Sequence, residues 1–128
     1  MASVFTNAGK AAAAAALVTA NALKYLQWGV GSGQTAASTT VNSTSTTTEA
    51  RVAGTMSSVT TSVTNDTAQI VGTITAAGSR AITEVGVHDA AGSGSPPTGG
   101  NMGLYGDFSV INLASGDSIA FTVKLQFS

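Results

Sequence analysis

The sequence predicts a mainly β fold, an antiparallel β-sandwich or jelly-roll-like domain with one N-terminal α-helix. Three observations carry that reading. Ile119, Phe121, Val123, Leu125 and Phe127 alternate with Ser118, Ala120, Thr122, Lys124 and Gln126, which is the pattern of a half-buried strand in an antiparallel sheet. Asn65-Asp66 stands between two β-rich runs, and both residue types tolerate the positive φ of a tight turn. Only the first 23 residues hold a helical block, with six consecutive alanines from Ala11 to Ala16. A chain of 128 residues fits one domain, since that length buries roughly two-thirds of its unfolded surface in a single core.

The elements follow in order. A helix is expected over about 7–23, capped by Thr6 or Asn7, with Val4 and Phe5 placed to pack back on its first turns. Tyr25 to Val30 reads as a strand with Tyr25, Gln27 and Gly29 on one face and Leu26, Trp28 and Val30 on the other. The β domain spans about 25–128. Residues 34–48 form an extended Ser/Thr-rich segment, with nine serines and threonines between Ser38 and Thr48. Such a tract is flexible alone, and a neighbouring subunit is expected to hold it. Val59 to Thr64 and Gln69 to Thr75 form the expected hairpin, Ala81 to His88 a further strand, and Ala91 to Asn101 an exposed Gly/Pro loop. A strand around Leu104 to Val110 and the turn Ser115-Gly116-Asp117 lead into the last strand.

Composition restricts function. Charged residues make up 9% of the chain against about 25% in ordinary domains, and 34 serines and threonines take much of the surface. A net charge of −1 with five basic residues does not suit phosphate neutralisation, so no nucleic-acid partner is expected. No segment is long and apolar enough for a membrane helix, and no membrane partner is expected. A surface this poor in charge is weakly protected against self-association, which points to an assembly. With no cysteine, thiolate metal sites and disulfides are excluded.

No catalytic constellation emerges, and neither a cofactor nor a metal is expected. His88, the one histidine, stands beside Asp89 with Glu84 four residues earlier on the same face. A general base oriented by a carboxylate is conceivable there. The preferred reading is a polar strand-end histidine in a local hydrogen bond. Glu84 and Asp107 can approach each other across a sheet, but Asp66 and Asp117 fall in turns, where aspartate has an ordinary backbone role. Gly31-Ser32-Gly33 lacks the strand–loop–helix context of a phosphate loop. Trp28 is expected in the core. The candidate partner contacts are Tyr25 and Tyr105, as aromatics with a polar edge, and Thr44, Thr46 and Thr48 in the extended segment.

Several stretches then carry a resemblance. Phe5-Thr6-Asn7-Ala8-Gly9-Lys10 before an alanine helix, followed by Val30-Gly31-Ser32-Gly33 at a strand end, resembles the N-terminal region of phage tail-collar fibre proteins. Ile82-Thr83-Glu84-Val85-Gly86-Val87-His88-Asp89-Ala90 resembles a segment of the same group, and Ile111-Asn112-Leu113 with Gly116-Asp117-Ser118 is similar to the ending of many small phage virion proteins. No fibre shaft follows Ser128, so the chain is more similar to small capsid decoration, or cement, proteins. That resemblance implies a non-enzymatic protein on the outer surface of the virion, made in the host cytoplasm. It implies a homo-oligomer, trimer or dimer, seated on the phage major capsid protein. A tail, collar or fibre-adaptor protein is the alternative, and a host-receptor or carbohydrate-binding module a third.

Overall fold

The computed structural model describes residues 2–43 and 47–128. The chain forms α1 (Asn7–Ala20), β1 (Tyr25–Gly29), β2 (Val52–Ala53), β3 (Thr55–Val59), β4 (Thr67–Thr75), β5 (Arg80–His88), β6 (Met102–Leu113) and β7 (Ser118–Gln126). All pairings among these strands are antiparallel, in a four-stranded sheet A ordered β2-β1-β5-β6 and a three-stranded sheet B ordered β3-β4-β7. The mainly β class with one N-terminal helix is as expected, and two sheets around a shared core are consistent with a sandwich.

Alternation places that core. β1 contributes Leu26 and Trp28, and β5 contributes Ile82, Val85 and Val87. Sheet B meets them with Ile70 and Ile74 of β4 and Phe121 of β7. Trp28 is thus a core residue, as its strand pattern predicts, and the final strand alternates as read, with Phe121 its most buried position. The chain passes from sheet A to sheet B through one residue, Gly54. A side chain there would meet Ile70 Cγ2 at 2.6 Å and Val71 O at 3.0 Å, so only glycine lets the sheets approach this closely.

α1 packs on β3 and β4. Thr6 caps it, its hydroxyl accepting the Gly9 N–H at 3.1 Å. The helix stops at Ala20, short of the expected Leu23, because Asn21 turns left-handed (φ 52°) and its N–H closes on Leu17 O.

Two further expectations are corrected. β3 ends at Val59, so Thr61 and Val63 are not strand residues. The Asp66 carboxylate draws in the N–H groups of Thr61, Ser62 and Val63 at 2.9, 3.1 and 2.9 Å, which folds 60–66 into a loop and diverts these groups from the β ladder. Asn65 supplies the positive φ (58°) foreseen for the connection. The described part of the 34–48 segment is not left for a neighbour to hold; it lies across the outer face of the chain's own sheet A. Val41 is buried there, Val30 N–H donates to Asn42 O, and Met102 N–H donates to Thr39 O. β1 and β5 are consequently covered on both faces, by sheet B within and by this segment without.

Candidate functional site

On the face of β1 and β5 turned away from the core, Gln27, Gly29, Glu84, Gly86 and His88 are all buried. Antiparallel register aligns them: Gln27 pairs with Gly86, Gly29 with Glu84, and Glu84 in turn with Asp107 of β6. This polar layer and the crossing segment together form the candidate site.

Its centre is Glu84, which is fully inaccessible. One carboxylate oxygen accepts the Asn42 N–H of the crossing segment, and the other accepts the Tyr105 hydroxyl at 2.7 Å. Asp107 accepts the Gly33 N–H at 2.9 Å, so both ends of the crossing are pinned by carboxylates. Burial and then the adjoining Glu84 carboxylate push the Tyr105 hydroxyl up to about 12, which keeps it a hydrogen-bond donor at any ordinary pH. The glycines make room. A side chain on Gly29 would strike Glu84 and Asn42 O (2.8 Å), and one on Gly86 would strike Val41 (2.8 Å).

A second cluster closes one end of sheet A. Arg51 donates from Nε to Gln27 Oε1 at 2.7 Å and from Nη1 to the carbonyls of Ala90 and Gly99 at 2.9 and 2.7 Å. Gln27 Nε2 donates to Pro97 O at 3.2 Å, which ties the Gly/Pro loop to β1. His88 sits against this cluster as the last residue of β5, a strand end as expected, but the expected local hydrogen bond does not form. The ring is fully inaccessible, and neither nitrogen completes a hydrogen bond. Burial, then the neighbouring Arg51 charge, lower its pKa to about 4 despite facing carbonyls of Tyr25 and Gly86 and the charge of Asp89. Arg51 Nη2 is the other buried side-chain atom without a partner among the described residues. Burial also lowers the Arg51 pKa, against the charge of Asp89.

Glu49 anchors the chain between the crossing and β2. It accepts the Trp28 indole N–H at 3.0 Å, the Ala77 N–H at 3.0 Å and Arg80 Nε at 2.8 Å. Burial pushes this carboxyl up, but those donors outweigh it and hold its pKa below the usual value.

The sequence-predicted contacts are distributed unevenly around this layer. Tyr105 lies within it and lines a cavity of about 300 Å³ with Gln34, Thr35, Ser38 and Met102. Tyr25 is half-buried at the Arg51 end, with Lys24 Nζ 5.5 Å from its ring centroid. Thr48 is half-buried, and its carbonyl lies 3.4 Å from Ser95 Oγ. Thr44 and Thr46 lie outside the described residues. Glu84 and Asp107 do approach across the sheet, as their strand positions suggest. Each is engaged by a backbone N–H of the crossing segment, and the Tyr105 hydroxyl lies between them, 3.4 Å from Asp107. Sequence reasoning passed over Arg51, Gln27 and the anchoring role of Glu49. A signal was present, because Glu49 and Arg51 are the only charged residues between Lys24 and Asp66. Among the described residues no cluster of three potential metal ligands forms, and no described helix is long and apolar enough to cross a membrane.

No protein-family model, curated protein or solved structure matches the chain significantly.

Proposed function

We propose that this chain is a non-enzymatic structural protein of a tailed-phage virion, acting as a capsid decoration (cement) protein. In this reading it sits as a trimer or dimer on the major capsid protein and works by contact area, without a reaction. The observation that carries the proposal is the outer face of sheet B. Val71, Thr73, Thr75, Ser118, Ala120 and Thr122 are exposed there side by side, and Lys124 is the one charged residue among the strand positions of that sheet. Removing a neutral hydroxyl-bearing face from water costs far less than removing a charged one, and its hydroxyls remain able to bond to a partner. On a symmetric shell, many such modest contacts add up.

The polar layer supports the same reading. Glu84, Asp107 and Glu49 are occupied in fastening the chain's own crossing segment, and a rigid domain loses less entropy on seating. A tail or collar adaptor is the second reading, favoured by where the fibre-like motifs fall. Thr6 of the first motif caps α1, and Gly86 of the β5 motif is where Val41 of the crossing segment packs.

The experiment is to add the purified chain to expanded empty capsids, and separately to tails, of the phage that encodes it. We expect saturable binding to capsids at a copy number fixed by shell symmetry, with a higher temperature of shell disassembly. Binding to tails alone would transfer the assignment to the adaptor. Binding to neither would overturn both.

A further inference from the structure

Sheet A ends on β6, and the two halves of that edge differ. The first half is guarded: Met102 N–H is taken by Thr39 O at 2.9 Å, and the crossing segment reaches Asp107 through Gly33. From Phe108 to Leu113 no backbone hydrogen bond beyond the pairing with β5 occurs among the described residues. Val110 and Ile111 are 52% and 38% exposed there. Phe108-Ser109-Val110-Ile111-Asn112-Leu113 contains no charge, proline or glycine. Proteins normally guard an open edge with lysine, proline, brevity or a bulge. This edge has only the last, an irregularity between the Ile82–Ile111 and Glu84–Asp107 pairs.

We infer that this half of β6 pairs with the same strand of a second copy across a two-fold axis, joining two four-stranded sheets into one of eight. The inference rests on the assembly reading above and gives it a surface. The edge is complementary to itself, which selects a second copy as the occupant. Antiparallel pairing about a two-fold axis at Ile111 sets each Ile111 against the other copy's Ile111 and each Val110 against Asn112. Asp107 then falls opposite Ser115, so no like charges meet, and β-branched residues face each other at the axis. Two-fold pairing also consumes both open edges, whereas a head-to-tail contact would expose a fresh edge at each step and run on as a filament. The apolar margin gains cover as well: Phe108, whose ring centroid is 6.2 Å from that of Phe121, and Leu113 are only half-buried in the single chain. The bulge keeps the paired run short, so association is concentration-dependent.

Sedimentation of the purified chain over a wide concentration range tests this. The expected result is a shift from 12.5 kDa to twice that, about 25 kDa, as concentration rises. Val110→Lys and Asn112→Lys, both at exposed positions, are expected to abolish the shift while keeping the wild-type circular dichroism and melting temperature. Thr73→Lys, on the outer face of sheet B, is expected to leave it intact. A wild-type chain monomeric at every concentration overturns the inference, as does a dimer that survives both β6 lysines or is broken by Thr73→Lys. If the chain is monomeric and Val110→Lys abolishes its binding to particles, the edge takes a foreign strand and the second copy is ruled out. A monomeric chain that binds capsids overturns only the β6 pairing. A β6 dimer that binds no particle leaves the β6 pairing standing and overturns both the decoration and the adaptor readings.

Discussion

His88 is neutral and unbonded in the folded chain, whereas an unfolded histidine titrates near 6.5. Its folded pKa is depressed to about 4, so its neutral form is the one the fold accepts. Stability is then full above pH 6.5, falls as pH drops from 6.5 toward 4, and levels off below. The difference between 6.5 and about 4 corresponds to roughly 3–4 kcal/mol. Burial sets the direction, and Arg51 adds to it by placing a positive charge beside the ring, which Asp89 offsets only in part. Thermal midpoints measured from pH 8 to pH 4 check this, and His88→Leu should flatten the profile across that window. Glu49 and Asp66 act in a separate window. Their pKa values are lowered on folding, so the stability they contribute is lost only under more acidic conditions. Gly29 is a second test at this scale. Gly29→Ala should push Asn42 and Glu84 apart and cost about 1–3 kcal/mol, as overpacking does. Faster amide exchange at Asn42 would locate the damage.

At the scale of elements, the two faces of each strand have different roles. β7 is a half-buried strand and was legible from alternation alone. Phe121→Ala should therefore cost about 3–5 kcal/mol in denaturant unfolding, and an unchanged midpoint would show that β7 does not anchor the core. β1 and β5 are covered on both faces, and their outward polar residues give no periodic signal of burial. A reader of Gln27, Glu84 and His88 in sequence sees solvent-facing positions. Only the folded segment above them makes them interior. β2 was illegible for a different reason: two residues, Val52 and Ala53, carry no period, and their pairing is set by Tyr25 and Leu26 almost thirty residues earlier. The early end of β3 follows from one carboxylate, Asp66, competing for three backbone donors. Strand propensity does not register that competition.

Across the whole molecule, composition anticipated the uncharged surface and alternation anticipated the class of fold, but neither fixed where the Ser/Thr-rich segment lies. Low complexity reads as flexibility because it lacks large apolar residues. Here a single Val41 and a row of backbone hydrogen bonds, anchored by carboxylates at Glu84 and Asp107, suffice to hold its described part. The candidate site was legible only as isolated residues, Tyr105, Glu84 and His88, whose convergence depends on the β5–β6 register.

The central place of β1 in sheet A also governs the timing of folding. β1 emerges early in synthesis, yet its longest partner is β5, some sixty residues later. β4 likewise waits for β7. At about 5–20 residues per second of translation, β1 stays unpaired with β5 for roughly 3–12 s. Local closure joins β3 to β4 and β5 to β6 but gives β1 no long partner, so the nascent chain must keep Leu26 and Trp28 from other partners during that interval. The alanine helix and hydroxyl-rich tract on either side of β1 add little apolar surface to attract such partners. The composition that makes the segment look disordered in sequence thus keeps the waiting strand soluble until the residues that complete it arrive.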